Sequence, residues 1–126
     1  MARGSMGIEG VFRSALKDIF YPILKEEKLD VSVTANTDIF SSDISVDSNG
    51  FLIFQFITDT AGYPIIKNKV YGSGAYQSAG LNESSNLTAS SWYEFWFTVR
   101  SGDSVNVQFS ANATSFTVRV FFVETS

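Results

Sequence analysis

Two hydrophobic periods divide this chain, and the point where one replaces the other constrains the fold more than any other feature. From Ile8 onward the apolar residues fall at 8, 11, 12, 15, 16, 19, 20, 23 and 24, the rhythm of one helix face. Arg13, Lys17 and Asp18 lie on the other side. Pro22 interrupts the pattern, because its ring blocks the carbonyl four residues back and drives Tyr21 out of the α region. The spacing predicts an amphipathic N-terminal helix within residues 6–28, regular over 8–20 and kinked or broken at Pro22, with a further turn from Pro22 through Lys28. Met1 to Ser5 read as a cloning remnant and stay outside the fold.

From Leu29 the period falls to two, and residues 29–126 read as one β-sandwich domain. Leu29, Val31, Val33 and Ala35 alternate with Asp30, Ser32 and Thr34, as in a half-buried strand. Asp43 to Val46 predicts a second, short strand, and Asp47-Ser48-Asn49-Gly50 a hairpin turn in which Asn-Gly supplies positive φ angles. Phe51 to Ile57 is apolar on both faces, so it is central or has its second face covered. Ile65 to Tyr71 reads as an edge strand because of Lys67 and Lys69. The polar stretch 72–91 is a long loop or hides a weak strand near Leu87 to Ala89. Trp92 to Val99, Ser104 to Ser110 and Phe116 to Glu124 close the chain, with turns at Ser101-Gly102-Asp103 and Ala111-Asn112-Ala113. Seven or eight strands with turn signals at this spacing predict a mainly-β antiparallel sandwich or jelly roll behind one helix.

Composition removes several functions. The chain has no cysteine and no histidine, which excludes disulfides, thiolate metal sites and every mechanism built on imidazole. A net charge of -4 argues against binding a nucleic-acid backbone. No run of 18 apolar residues spans a bilayer. Asp43, Asp47, Asp59, Glu94 and Asp103 could supply a carboxylate pair, but all except Glu94 sit in or beside turns, where Asp bonds local backbone amides. Gly72-Ser73-Gly74 lacks the lysine and the strand–helix setting of a phosphate loop. Asp47 to Gly50 has no glutamate at the spacing a calcium loop needs. The three Asn-x-Ser/Thr triplets, at Asn82, Asn86 and Asn112, are expected by chance in a chain this rich in Ser, Thr and Asn. No catalytic residue, metal or cofactor is expected.

The aromatic strand is the most informative segment. Tyr93, Phe95, Phe97 and Val99 share one face and predict core, while Trp92, Glu94, Trp96, Thr98 and Arg100 share the other. Trp92 and Trp96, about 13 Å apart along a strand, form a candidate sugar-stacking platform with Glu94, joined by Tyr71 and Tyr76 from the neighbouring loop. Burial under the helix, the loop or another subunit is the simpler expectation for the two tryptophans. Phe51 to Ile57 and Phe116 to Val123 carry more apolar surface than one interior can take, which predicts a homo-oligomer, a trimer ahead of a dimer. Phe54, Phe56, Phe121 and Val123 are the expected contacts between subunits.

The centre Val-Arg-Ser-Gly-Asp-Ser-Val-Asn-Val-Gln-Phe and the ending Phe-Thr-Val-Arg-Val-Phe-Phe-Val, within Trp92 to Val123, resemble the closing strands of small jelly-roll proteins. These include structural and accessory proteins of phages and archaeal viruses and the trimeric heads like those of tumour necrosis factor and C1q. The resemblance implies assembly without catalysis, at a virion or cell surface ahead of the cytoplasm. Expected partners are copies of the chain, another coat or surface protein, or a carbohydrate.

Overall fold

The structure, a computed structural model, describes residues 22–71 and 74–125. The helix expected over 8–20 and the first five residues lie outside the described residues. Among the described residues there are eight strands: β1 (Ile23–Val33), β2 (Ile44–Ser45), β3 (Gly50–Thr58), β4 (Pro64–Lys69), β5 (Gln77–Gly80), β6 (Tyr93–Val99), β7 (Ser104–Phe109) and β8 (Ala113–Glu124). They form two four-stranded antiparallel sheets, a first in the order β1-β8-β3-β6 and a second in the order β2-β7-β4-β5. Strand pairs β1–β8, β2–β7, β3–β6 and β4–β5 nest as in one long antiparallel ribbon folded over itself. Pairings β3–β8 and β4–β7 then complete the sheets. This is the wrapped topology of a jelly roll.

Period-two patterning places the core. Leu52, Phe54 and Phe56 of β3 and Phe116, Val118 and Val120 of β8 point inward from the first sheet, and Ile66, Val105, Val107 and Phe109 from the second; all are buried. Phe116 links the layers, with ring centroids 5.0 Å from Phe109 of the opposite sheet and 5.9 Å from Phe56 of its own. Phe54 and Phe56 were expected between subunits; instead they are completely buried inside the chain's own sandwich. An all-apolar strand does not announce which of its faces is the inner one.

Four local expectations need correction. The turn predicted from Pro22 through Lys28 is the start of β1, whose Ile23 and Leu24 pair with Phe122 and Phe121. Lys25, Glu26, Glu27 and Lys28 there are charges on an edge strand, which deter pairing with other chains. Asp47 to Gly50 is no hairpin: β2 pairs with β7 and β3 with β8 and β6, so this segment carries the chain from one sheet to the other. Neither Asn49 nor Gly50 has a positive φ. Gly50 is required for another reason, since a Cβ there would lie 2.0 Å from the Val123 carbonyl oxygen. Finally, β4 is internal, paired with β7 on one side and β5 on the other, and its Lys67 and Lys69 are held by Asp38 and the Tyr76 ring. The strand hidden in 72–91 is β5, and Leu87 after it is a buried plug.

β1 itself is bulged. Lys28 opposes Val118 but Val31 opposes Phe116, so one extra residue is accommodated. Asp30 takes the positive φ of 54° there; its N–H donates to Thr117 Oγ1 at 2.8 Å and its carboxylate accepts from the Ser115 hydroxyl.

The β6–β7 connection is pinned by Asp103, which is buried. Its carboxylate accepts from the backbone N–H of Arg100 at 3.0 Å and of Tyr71 at 3.2 Å. Gly102, at φ 94°, lies under the Tyr71 ring, where a side chain would collide. Asp103→Ala leaves two backbone donors without their acceptor, at about 1–3 kcal/mol for buried groups. We expect a loss of stability in that range on urea unfolding, and a change near zero would mean that water replaces the carboxylate.

Candidate functional site

The two outer surfaces of the sandwich differ in chemistry. That of the second sheet is polar and internally bonded. Asn106, buried beneath the 38–43 segment, donates through Nδ2 to the Phe40 carbonyl at 3.0 Å and to Asp43 Oδ1 at 2.9 Å, and accepts through Oδ1 from the Phe40 N–H at 3.2 Å. Lys67 bonds Asp38 at 2.9 Å, and Gln108 donates to the same carboxylate at 2.7 Å. Lys67 and Lys69 lie 4.5 and 5.1 Å from the centre of the Tyr76 ring, whose hydroxyl donates to Asp43 at 2.5 Å. That hydrogen bond, more than any other cause, holds the Asp43 carboxyl below its ordinary pKa and raises that of the Tyr76 phenol.

A depressed carboxyl pKa contributes stability above the ordinary carboxylate range and loses it as the pH falls through the depressed value. Tyr76→Phe removes the main cause, so the fall of Tm on acidification should become shallower than in the parent. An unaltered acid limb in the variant would show that Asp43 gains nothing from Tyr76 in solution.

The outer surface of the first sheet is arranged in rows set by strand register. Leu24, Phe121, Ile53 and Trp96 occupy one row across all four strands. Val123, Phe51 and Thr98 form the row on one side of it. On the other side lies a polar row of Glu27, Arg119, Gln55 and Glu94, with Trp92 just beyond. Ile53 and Val123 are sealed at 6% and 1% exposure under their neighbours, whereas Leu24, Trp96 and Trp92 stand open at 43%, 55% and 57%. Phe51 meets the edge of Trp96 at 5.5 Å, and the Arg119 guanidinium lies 5.4 Å from the centre of the half-buried Phe121 ring.

The polar row is bonded across the strands. Glu94 accepts from Gln55 Nε2 at 3.1 Å and from Trp96 Nε1 at 2.9 Å, and Arg119 Nε lies 3.4 Å from Glu27. Gln55, Trp92, Tyr93, Glu94 and Arg119 line a depression of about 330 Å³.

Of the residues singled out in the sequence, the structure brings Trp92, Glu94 and Trp96 onto one face. It does not bring Tyr71 and Tyr76 to them: Tyr76 belongs to the polar surface of the second sheet, and Tyr71 stacks at the β6–β7 turn. Tyr71 and Tyr76 are therefore removed from the ligand group. Val123 lies on the outer side of the first sheet but is covered within the chain, so it is removed from the exposed contacts. Leu24 and Phe51 belong to the apolar rows and were missed. The register of Phe51 against Val123 carries that information, and register is not visible before the strands are paired. The other acids are absorbed locally: Asp103 caps a turn, and Asp59 accepts from the Ser115 N–H and the Thr60 hydroxyl.

Comparison with solved structures places the fold. The chain is similar to one from the IBDV viral particle, with a TM-score of 0.52 and 12% identity over 83% of this chain and 30% of that one. It is also similar to one from the Gx strain of infectious bursal disease virus, with a TM-score of 0.50 and 14% identity over 85% of this chain and 33% of that one. It thus spans about a third of those chains. The C-terminal domain of a structural protein from Sulfolobus turreted icosahedral virus aligns over 82% of this chain and 98% of that one, at 14% identity and a TM-score of 0.49. No protein-family model and no curated protein matches the sequence. What the chain shares with the two chains from infectious bursal disease virus is the fold alone.

Proposed function

We propose that this chain is a non-enzymatic structural subunit of a virion or cell-surface assembly, and that copies associate through the outer surface of the first sheet. The observation that carries this is the row Leu24, Phe121, Ile53 and Trp96, extended by Phe51, on a sandwich whose opposite outer surface is polar and bonded to itself. Large aromatic side chains left open beside sealed aliphatic ones are the composition of an interface core. The likeness in fold to chains from the particle of infectious bursal disease virus supports the same reading. A trimer needs two unlike patches that fit each other, while one continuous patch suits an isologous two-fold contact. The proposed state is therefore a face-to-face dimer, with the trimer expected from sequence as its competitor.

Solution mass by light scattering across a range of concentrations tests this, on the full chain and on a form lacking residues 1–20. A closed oligomer in both forms supports pairing of the sheet surfaces themselves. A monomer at every concentration overturns the proposal. Association of the full chain alone would transfer the contact to the N-terminal segment, and would overturn the face-to-face arrangement.

A further inference from the structure

The outer surface of the first sheet has a second end that the proposed association leaves over. We propose that the depression between Trp92, Gln55, Glu94 and Arg119 binds one neutral hexopyranose unit of an oligosaccharide. This goes beyond the structural role and does not depend on it.

Strand register assembles the site. Arg119 of β8, Gln55 of β3 and Glu94 of β6 are cross-strand partners in a single row, so their side chains rise from neighbouring points on the same surface. Trp92 forms a wall beyond the row, 57% exposed, with an apolar plane open to a ligand. A hexopyranose offers a flat patch of C–H groups and a rim of hydroxyls. It therefore needs an aromatic plane beside fixed donors and acceptors, and both are present here.

Glu94 is already oriented. One carboxylate oxygen accepts from Gln55 Nε2 at 3.1 Å and the other from Trp96 Nε1 at 2.9 Å. A carboxylate has about four lone-pair sites, so each oxygen keeps capacity for a ligand hydroxyl. The side chain has lost its rotamer freedom before any ligand arrives, which lowers the cost of binding. Arg119 adds donors at the far side. Its Nε is buried, 3.4 Å from the Glu27 carboxylate, so that ion pair holds the guanidinium in place and the Nε itself is not open to a ligand.

Charge decides the ligand class. A cation entering the depression would meet the Arg119 guanidinium, and an anion would meet the Glu94 carboxylate. A neutral ligand rich in hydroxyls gains from both, donating to Glu94 and accepting from Arg119. At about 330 Å³ the depression is at the lower end of ligand pockets, which run to roughly 300–1,000 Å³. That suits one or two rings of a longer chain, with weak binding per site.

Saturation-transfer NMR on the full chain, with maltohexaose, cellohexaose, mannohexaose and a galacto-oligosaccharide as probes and choline as the cationic comparison, tests the proposal. At least one of the four sugars should give saturable transfer with a dissociation constant in the millimolar range. Trp92→Ala and Glu94→Ala, both at exposed positions, should each weaken it about tenfold or more while the melting temperature stays near that of the parent. Absence of transfer from all four sugars, transfer from choline alone, or binding unchanged in both variants would overturn the proposal. The polar row would then be a cross-strand stabiliser and nothing further.

Discussion

Phe116→Ala should be the most damaging single truncation in this chain, at about 3–5 kcal/mol. Phe116 is completely buried, and its ring lies against Phe56 of its own sheet and Phe109 of the opposite one. Removing it opens a void between two layers whose strands are fixed by eight-strand wrapping, so neither sheet can move in without breaking its register. Small domains have only about 5–15 kcal/mol in total. A drop of roughly 10 °C or more in Tm is therefore expected, read by calorimetry or circular dichroism. A cost below about 1 kcal/mol would mean that the sheets close around the gap and that Phe116 does not bridge them.

Phe121→Glu should have the largest effect on assembly. Phe121 lies between Leu24 and Ile53 in the apolar row, half-buried in the single chain and beside the Arg119 guanidinium. In a free subunit the new carboxylate can reach water and Arg119, so folding should be little disturbed. In a contact between two such faces it becomes a charge beneath apolar rings, and desolvation costs several kcal/mol per ion. Association should weaken by about 30-fold or more, with mass falling toward the monomer while the far-ultraviolet spectrum is retained. An unchanged oligomer mass would place the contact elsewhere on the molecule.

The closing strands were legible because their period-two pattern has clear parity. Thr117 and Arg119 mark one side of β8 as the outer one, and Glu94 and Thr98 do the same for β6. β3 has no such marker on its apolar half, since Phe51 and Ile53 are as apolar as Leu52 and Phe54. Register against β8 and β6 settles its faces, and register is a tertiary property. Asn49-Gly50 shows a related limit. Local turn chemistry fits a hairpin, but whether the next strand stays in the same sheet depends on pairings some fifty residues away. Pro22 at a favoured first helical position predicts a turn through Lys25 to Lys28, and pairing with β8 overrides it. β5 lies in Gln77-Ser78-Ala79-Gly80, with no β-branched residue, and exists through its ladder with β4. Lysine marked β4 as an edge, yet Lys67 is held by Asp38 and Tyr76.

The same division runs through the candidate site. Trp92, Glu94 and Trp96 share a face by strand periodicity alone, so the sequence was sufficient to group them. Gln55, Arg119, Leu24 and Phe51 join them only through pairing of distant strands. Tyr71 and Tyr76 are close in sequence to the aromatic strand but lie away from its outer face, because the chain crosses between sheets in the interval.

The chain has two tryptophans: Trp96 lies in the apolar row proposed to associate, and Trp92 lies at the other end of the same outer surface. In a Trp92→Phe variant the emission of Trp96 alone therefore reports whether the apolar row is covered. Association through this face predicts blue-shifted emission protected from acrylamide at high protein concentration, turning red and quenchable on dilution as the mass falls. Red, fully quenchable emission at every concentration at which an oligomer is present would contradict association through this face.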